Sequence, residues 1–158
     1  MSVELVRIDD RLVHGQVVEA WVPHVKAGLV VVVSEAAAED ATQQALMRLA
    51  LPDAIGLKVL RPGEALAFFK SPECERARTL VLLPSPREAL ALVDGGFAVK
   101  TINVGGLHYS AGRMQLGRVI FLSDEDRRTL NELAQRGVVL EGRAVPSDRR
   151  LDLATLLA

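Results

Sequence analysis

The segment RIDDRLVHGQ, at residues 7–16, holds the side chains of this chain that are best suited to chemistry. His14 follows two adjacent carboxylates, Asp9 and Asp10, and Arg11 lies between them and the histidine. A neutral imidazole can act as a nucleophile, because its pKa of about 6.5 leaves one ring nitrogen unprotonated at neutral pH. A carboxylate can fix the ring tautomer, and an arginine can bind a phosphoryl oxygen through its fork of N–H donors. Together these residue types suit a phosphoryl group carried on the histidine.

The same residues also have structural and metal-binding interpretations. His14 could cap a helix or bind a metal ion, and Asp9, Asp10 and Arg11 could form a surface ion pair that closes the loop. Aspartyl-nucleophile phosphatases space their acids as D-x-D, whereas the two acids here are adjacent. A zinc site is disfavoured because His14, His24 and His108 are the only histidines and form no H-x-x-x-H pair. Magnesium sites made only of oxygen ligands stay open.

A second polar loop, NVGGLHYSAGRMQ at residues 103–115, begins at the end of another apolar run. Gly105 and Gly106 could bring backbone N–H groups close to a phosphate, or could form a tight turn that requires positive φ. His108 and Tyr109 follow in the same loop and could be surface groups that cover it. The chain has neither G-x-G-x-x-G nor G-x-x-x-x-G-K-[ST], so the sequence offers no support for a dinucleotide or ATP site.

The segments that must position these loops are of two kinds. Short runs of β-branched residues alternate along the chain with amphipathic segments. This alternation is typical of βαβ units and predicts an α/β fold, a single-domain open, mostly parallel sheet with helices on both faces. The charged last run predicts an antiparallel edge strand. Ligands of such a sheet bind outside the carboxyl ends of its strands, which selects the loops after the first, fourth and fifth strands. Seven strands are predicted, at residues 3–8, 28–34, 57–60, 79–83, 99–104, 118–122 and 138–145.

Helix signals fill the gaps between these runs. Apolar residues recur at helical spacing over 17–25, where Pro23 is expected to end or kink the helix, and again over 41–49. Ser85 and Ser123 are predicted N-caps, each with an acidic residue three positions later as in a capping box. Because Ser85 follows the fourth strand, its cap could also face an anion bound at the edge of the sheet.

Composition limits the class of protein further. The 158 residues suit a single domain over 1–158. With 49% hydrophobic residues the chain is not expected to be disordered, and a formal net charge of −1 excludes binding to nucleic acid or membranes through overall charge. Cys74 is the only cysteine, which excludes an internal disulfide and a thiolate metal cluster. The N-terminus lacks a secretory signal and no apolar run is long enough to span a bilayer. We therefore expect a cytoplasmic protein that meets a membrane only as a peripheral subunit.

With these residues assembled, the chain resembles the IIB component of the mannose/fructose/sorbose family of the bacterial sugar phosphotransferase system (PTS). The resemblance covers nearly the whole length, and the first of its motifs is very specific to the family. Family members often have phenylalanine and lysine where this chain has Tyr109 or Arg113. The motifs are VRIDDRLVHGQV at 6–17 with Trp21 beyond it, VVVSEAAAED at 31–40, NVGGLHYSAGRMQL at 103–116 and RGVVLEGRAVPSD at 136–148.

The resemblance implies a phosphocarrier, a protein-N-phosphohistidine–sugar phosphotransferase with no bound cofactor or metal. Such a component takes a phosphoryl group from a histidine of the IIA component and passes it to a sugar moved by the membrane subunits IIC and IID. Since donor and acceptor lie in partner proteins, we expect an open site with an exposed histidine. The resemblance makes His14 the phosphohistidine and Arg11 and Asp10 its catalytic partners. The supporting residues that it implies are Asp9, Gly15, Gln16, Ser85, Gly105 and Gly106.

Two other functions stay open on the sequence alone. A regulatory module could keep the fold and the phosphorylation without serving sugar transport, and a small-molecule phosphatase or kinase could use the same sheet. The sequence does not identify the sugar or the ring nitrogen that carries the phosphoryl group. It also leaves the oligomeric state open, so both a monomer and a homo-oligomer fit.

Overall fold

The computed structural model describes residues 2–108, 110–117 and 119–157, and a seven-stranded sheet forms its centre. Two further strands form a separate antiparallel pair. The strands, in chain order, are β1 (Val3–Ile8), β2 (Leu29–Val33), β3 (Gly56–Leu60), β4 (Thr79–Leu83), β5 (Thr101–Val104), β6 (Met114–Leu116), β7 (Ile120–Leu122), β8 (Val139–Gly142) and β9 (Leu151–Asp152).

The strand order of the large sheet is β3-β2-β4-β1-β5-β8-β9. The first six strands in this order pair in parallel with their neighbours, and β9 pairs with β8 in the antiparallel direction. All residues of β2 and β4 are buried, which matches their continuous apolar sequences LVVVV and TLVLL. Because β1 lies between β4 and β5, the carboxyl ends of these three strands meet at one edge.

Helices cover both faces of the sheet and divide the core in two. One face packs against α4, α6, α7 and α8, and the other against the π-helical turn, α1, α2 and α3. Among the described residues, no helix is both long and apolar enough to cross a membrane. The helical segments are the π-helical turn Val17–Trp21, α1 (Val22–Val25), α2 (Glu35–Ala38), α3 (Ala41–Ala50), α4 (Pro62–Phe69), α5 (Pro72–Arg76), α6 (Pro86–Asp94), α7 (Asp124–Gln135) and α8 (Leu153–Leu157).

The predicted fold class is confirmed, but two predicted strands have different roles. The segment 118–122 does not join the large sheet, because its described part forms β7 and pairs with β6. The segment 138–145 is not the antiparallel edge, since β8 pairs in parallel with β5. The antiparallel edge is instead the two-residue strand β9, too short to give a sequence signal. Charged residues suggested an exposed strand at β8, yet Glu141 is buried against polar partners.

The helix predictions differ from the structure in two details. Pro23 does not end the first helix, which continues to Val25, but the turn before the proline is π-helical. Ser123 caps α7 in the predicted capping box. Ser85 lies directly before α6, but its side chain makes no capping hydrogen bond. Its hydroxyl donates instead to the carboxylate of Glu88, which in a capping box would accept from the backbone N–H of Ser85.

Candidate active site

The loop after β1, residues 9–14, is hydrogen-bonded to the ends of both neighbouring strands. The backbone N–H of Asp9 donates to the carbonyl oxygen of Leu83 in β4 at 2.9 Å. The backbone N–H of Asp10 donates to the carbonyl oxygen of Gly106, just after β5, also at 2.9 Å. The chain leaves β1 toward one face of the sheet and leaves β4 toward the other, which opens a crevice where ligands of such sheets bind. The three loops selected from the sequence therefore meet here.

Leu12 fixes the shape of this loop. Its φ is +58°, a left-handed conformation that costs a leucine about 1–2 kcal/mol. Its side chain is buried in the core beneath the loop, and burial of a leucine contributes about 1.5–3 kcal/mol. Its N–H donates to the carbonyl oxygen of Asp9 at 3.0 Å, which closes a tight turn. The buried leucine thus offsets the strain of a turn that directs the polar side chains to the crevice.

His14 precedes the first helix, and its carbonyl oxygen accepts from the N–H of Val18 at 3.0 Å. Nε2 of its ring lies 3.1 Å from Oδ2 of Asp9. Within the described part of the chain, Nδ1 has no hydrogen-bond partner. The side chain is 14% exposed, so the histidine is less open to solvent than the sequence predicts.

Asp9 is the buried carboxylate that holds this ring. Its Oδ2 accepts from Arg7 at 3.1 Å and from the N–H of Gly106 at 3.4 Å, and its Oδ1 accepts from the N–H of Arg11 at 3.1 Å. Burial alone would raise the pKa of Asp9, but the hydrogen bond from His14 and the charge of Arg7 outweigh it and hold the pKa below its usual value. The carboxylate is therefore ionised at neutral pH and can only accept. In the neutral form of the His14 ring, Nε2 therefore carries the proton and Nδ1 the lone pair.

Asp10 lies in a different environment from its neighbour. Its Oδ2 accepts from the backbone N–H of His108 at 2.8 Å, and its Oδ1 pairs with Nδ1 of the same histidine. The family resemblance implies a catalytic role for Asp10 and a supporting role for Asp9. In the structure, Asp9 contacts His14, whereas Asp10 ties the loop after β1 to the loop after β5.

Arg11 lies at the open side of the loop with 44% of its side chain exposed. Its Nε is 3.7 Å from Oδ1 of Asp9, and its Nη2 donates to the side chain of Gln16 at 3.4 Å. The guanidinium is therefore held loosely at two points and keeps donors for a ligand. Such a group can move onto a phosphoryl oxygen without breaking a buried ion pair.

The remaining predicted residues differ in what they contribute. A Cβ on Gly105 would overlap the guanidinium of Arg7, whereas a Cβ on Gly106 would lie 3.4 Å from Oδ1 of Asp9. Neither glycine has positive φ, so close packing, and not a turn, requires Gly105. Gly15 has open space on its Cα and lies two residues before the π-helical turn, whose N-cap residue, Gln16, makes no side-chain capping hydrogen bond.

The arrangement can bind an anion. Helix N–H groups without intrahelical partners lie beside His14, and Arg11 adds a mobile positive charge. Among residues 2–108, 110–117 and 119–157, no group of three or more His, Cys, Asp or Glu side chains could hold a metal ion. The chemistry that these groups fit is nucleophilic attack by a neutral imidazole on a phosphoryl group.

Sequence reasoning missed the residues that support Asp9. Arg7, Asn103 and Glu141 are all buried and lie in β1, β5 and β8. A signal was present, since each interrupts a short apolar strand with a charged or amide side chain, and such groups are rarely buried unless they are paired. Arg143 and Trp21 complete this support from the loop after β8 and from the first helix.

Comparison with known proteins supports one family. Residues 3–158 match the family model described as "PTS system sorbose subfamily IIB component". The chain is 34% identical over 156 residues to the N-acetylgalactosamine-specific phosphotransferase enzyme IIB component 2 of Escherichia coli (strain K12), covering 99% of each. It is 29% identical over 158 residues to the mannose-specific EIIAB component of the same strain, covering 100% of this chain and 49% of that protein.

A solved structure agrees with these relatives. The crystal structure of the IIBSor domain of the sorbose permease from Klebsiella pneumoniae has a TM-score of 0.92 and 30% identity, covering 98% of this chain and 95% of that one. The family, the fold class and the phosphocarrier activity predicted from the motifs are thereby confirmed. The chain belongs to the sorbose-subfamily IIB components of the sugar phosphotransferase system, the phosphotransferases that carry a phosphoryl group in sugar uptake.

Proposed function

We propose that this chain accepts a phosphoryl group from a phosphohistidine of a IIA component on Nδ1 of His14, and passes it to a sugar moved by IIC and IID. The observation that carries the proposal is the buried contact between Nε2 and Asp9, which leaves Nδ1 as the nucleophilic nitrogen. A IIA donor is supported by the relative whose name, EIIAB component, joins IIA and IIB in one protein.

In the first transfer, the lone pair of Nδ1 attacks phosphorus in line with the donor nitrogen. A P–N bond forms on His14, the P–N bond on the donor breaks, and its electron pair returns to the donor imidazole. The ring of His14 keeps its proton on Nε2 and so gains positive charge. The Asp9 carboxylate, 3.1 Å from Nε2, stabilises that charge, while Arg11 and the helix N–H groups stabilise the phosphoryl oxygens.

In the second transfer, a sugar hydroxyl oxygen attacks phosphorus and the P–Nδ1 bond breaks. The electron pair returns to Nδ1, the hydroxyl proton leaves to solvent, and the neutral Nε2–H tautomer is restored. The ring nitrogen is thus ready for the next phosphoryl group without a cofactor or a metal ion. Asp10 serves this cycle by tying two loops of the site together through His108.

The proposal also covers the cellular location and the domain organisation of the protein. We place the chain in the cytoplasm, peripheral to the membrane through IIC and IID, with residues 1–158 as a single IIB domain. The match of residues 3–158 to one family model supports the single domain.

Arg11→Ala is expected to slow phosphoryl acceptance by about 10²-fold, because it removes a charged donor from the phosphoryl group. The free energy of unfolding should change by less than about 1 kcal/mol, since the side chain is 44% exposed and its ion pair is weak. Initial rates with a radiolabelled donor, together with urea denaturation, measure both. The matched control is Arg136→Ala, which removes an arginine from a surface ion pair with Asp94. An unchanged transfer rate would leave Arg11 as a loop ion pair only.

The test of the proposal follows label from donor to sugar. A phosphorylated IIA protein of the mannose/sorbose family is the donor, and membrane vesicles containing IIC and IID are supplied with sorbose, mannose, fructose or N-acetylgalactosamine. Label should pass through the chain and appear as sugar phosphate with one of these sugars. Label that stays on His14 with all four would favour the regulatory module, and hydrolysis of a soluble phosphate ester without any partner would favour a phosphatase.

A further inference from the structure

A row of polar side chains crosses the sheet beside the active site. Arg7 in β1 is the register partner of Asn103 in β5, which is the partner of Glu141 in β8. The three side chains therefore lie on one face, and their residues are 0%, 0% and 6% exposed. Nδ2 of Asn103 donates to Oε1 of Glu141 at 3.3 Å, and Oδ1 of Asn103 accepts from Arg7. The row ends at Arg7, which donates to Asp9.

Both Nη atoms of Arg7 are held by hydrogen bonds, whereas its buried Nε has no hydrogen-bond partner among the described residues. Its Nη1 donates to the carbonyl oxygen of Arg143 at 2.9 Å, and its Nη2 donates to the carbonyl oxygen of Ala144 and to Oδ2 of Asp9, each at 3.1 Å. The ring of Trp21 lies 4.9 Å from the guanidinium carbon, and its Nε1–H donates to the same Ala144 oxygen at 2.9 Å. The guanidinium also packs closely against Gly105, where an added Cβ would overlap it. The positive charge can therefore occupy one place.

We propose that Arg7 is a positioning residue, which keeps Asp9 ionised and so holds the proton of His14 on Nε2 and the phosphoryl-accepting lone pair on Nδ1. The inference rests on the proposed function, because it concerns the same ring. Arg7 is fully buried and therefore out of reach of a phosphoryl group on His14 or of a partner protein at the surface. It acts through Asp9, and the loop after β8 holds it in place through two backbone carbonyls.

Several charged or titratable groups surround Asp9. Among the described residues, three cationic or titratable groups face it: Arg7 at 3.1 Å and fully buried, His14 at 3.1 Å, and Arg11 at 3.7 Å and 44% exposed. Asp10 is turned to His108 and does not face this carboxylate. The exposed Arg11 is screened by water, so the burial of Asp9 is offset by the hydrogen bond from His14 and, next to it, by the buried charge of Arg7.

Removal of Arg7 should reverse the proton positions. A fully buried carboxyl without its cation favours the neutral form, so Asp9 takes up a proton at neutral pH. A protonated Asp9 donates to Nε2 of His14, and the ring proton then lies on Nδ1. The nitrogen that faces the phosphoryl group has lost its lone pair. Raising the pH ionises Asp9 again and restores the original tautomer.

The experiment compares folded variants by ¹⁵N-histidine NMR and by the pH profile of phosphoryl acceptance. The wild-type chain and the control Arg136→Met should show the Nε2–H tautomer of His14 at pH 7. Arg7→Met should show the Nδ1–H tautomer and accept the phosphoryl group about 10²-fold more slowly, recovering as the pH rises. Arg7→Lys, which keeps the charge, should restore part of the tautomer and of the rate.

An Arg7→Met chain that is folded and keeps both the Nε2–H tautomer and the wild-type pH profile would overturn the proposal, whatever its stability. Should that variant fail to fold, Arg7→Lys and Asn103→Ala take its place. Both should then shift the tautomer and the pH profile partly, and wild-type behaviour in both would overturn the proposal. A failure of the proposed function looks different, because the unmodified chain would then carry no phosphoryl group on His14.

Discussion

Asp9→Asn is expected to lower the rate of phosphoryl acceptance by roughly 10²–10⁴-fold, the range seen when a catalytic histidine loses the carboxylate that fixes its tautomer. The amide is the same size as the carboxylate, but it carries no charge to stabilise the phosphorylated ring. It can also turn its NH₂ group toward Nε2 of His14, which moves the ring proton to Nδ1. Rapid-quench initial rates with a radiolabelled IIA donor measure the effect.

The adjacent acid provides the control. Asp10→Asn should stay within about tenfold of the wild-type rate, because Asp10 contacts His108 and not His14. Circular dichroism and urea denaturation show that each variant is folded before its rate is compared. A larger loss of rate in Asp10→Asn than in Asp9→Asn would return Asp10 to the catalytic role that the sequence suggested.

Gly105→Ala is expected to lower the free energy of unfolding by about 3–5 kcal/mol. The new methyl group would overlap the guanidinium of Arg7, which has no free space because its partners surround it. Displacement of that group breaks a fully buried ion pair with Asp9 and leaves a carboxylate without its cation. Urea denaturation monitored by Trp21 fluorescence measures the loss.

Gly63→Ala is the matched control for that experiment. It adds the same methyl group in open space within α4, where alanine is a better helix former than glycine, so stability should stay the same or rise. Equal stability of the two variants would mean that the guanidinium can move, and would remove the structural basis for a fixed Arg7.

The active loop could be predicted from the sequence because its information is local. Asp9, Arg11 and His14 lie within six consecutive positions, and the rule that ligands bind at the carboxyl ends of parallel strands placed them at the edge of the sheet. The parallel sheet followed in the same way from continuous apolar strands such as β2 and β4.

The support of the loop could not be predicted, because it depends on residues far apart in the chain. Arg7 meets Asn103 and the carbonyl oxygen of Arg143 only once β1, β5 and β8 are aligned in register. The contact of His14 with Asp9, and not with Asp10, has the same origin, since the loop after β5 puts His108 against Asp10. The positive φ of Leu12 could not be predicted either, because burial of the side chain, and not a preference of leucine, stabilises this backbone conformation.

The central claim is that Nδ1 of His14 carries the phosphoryl group, and one measurement tests it directly. The chain is incubated with a phosphorylated IIA protein and kept at alkaline pH, since phosphohistidine is labile to acid. Mass spectrometry of its peptides then locates the group, and ³¹P NMR distinguishes the two ring nitrogens. We predict a single phosphoryl group on Nδ1 of His14 and none on the His14→Ala chain. Undiminished label in His14→Ala, or label on His24, on His108 or on Nε2 of His14, would contradict the account.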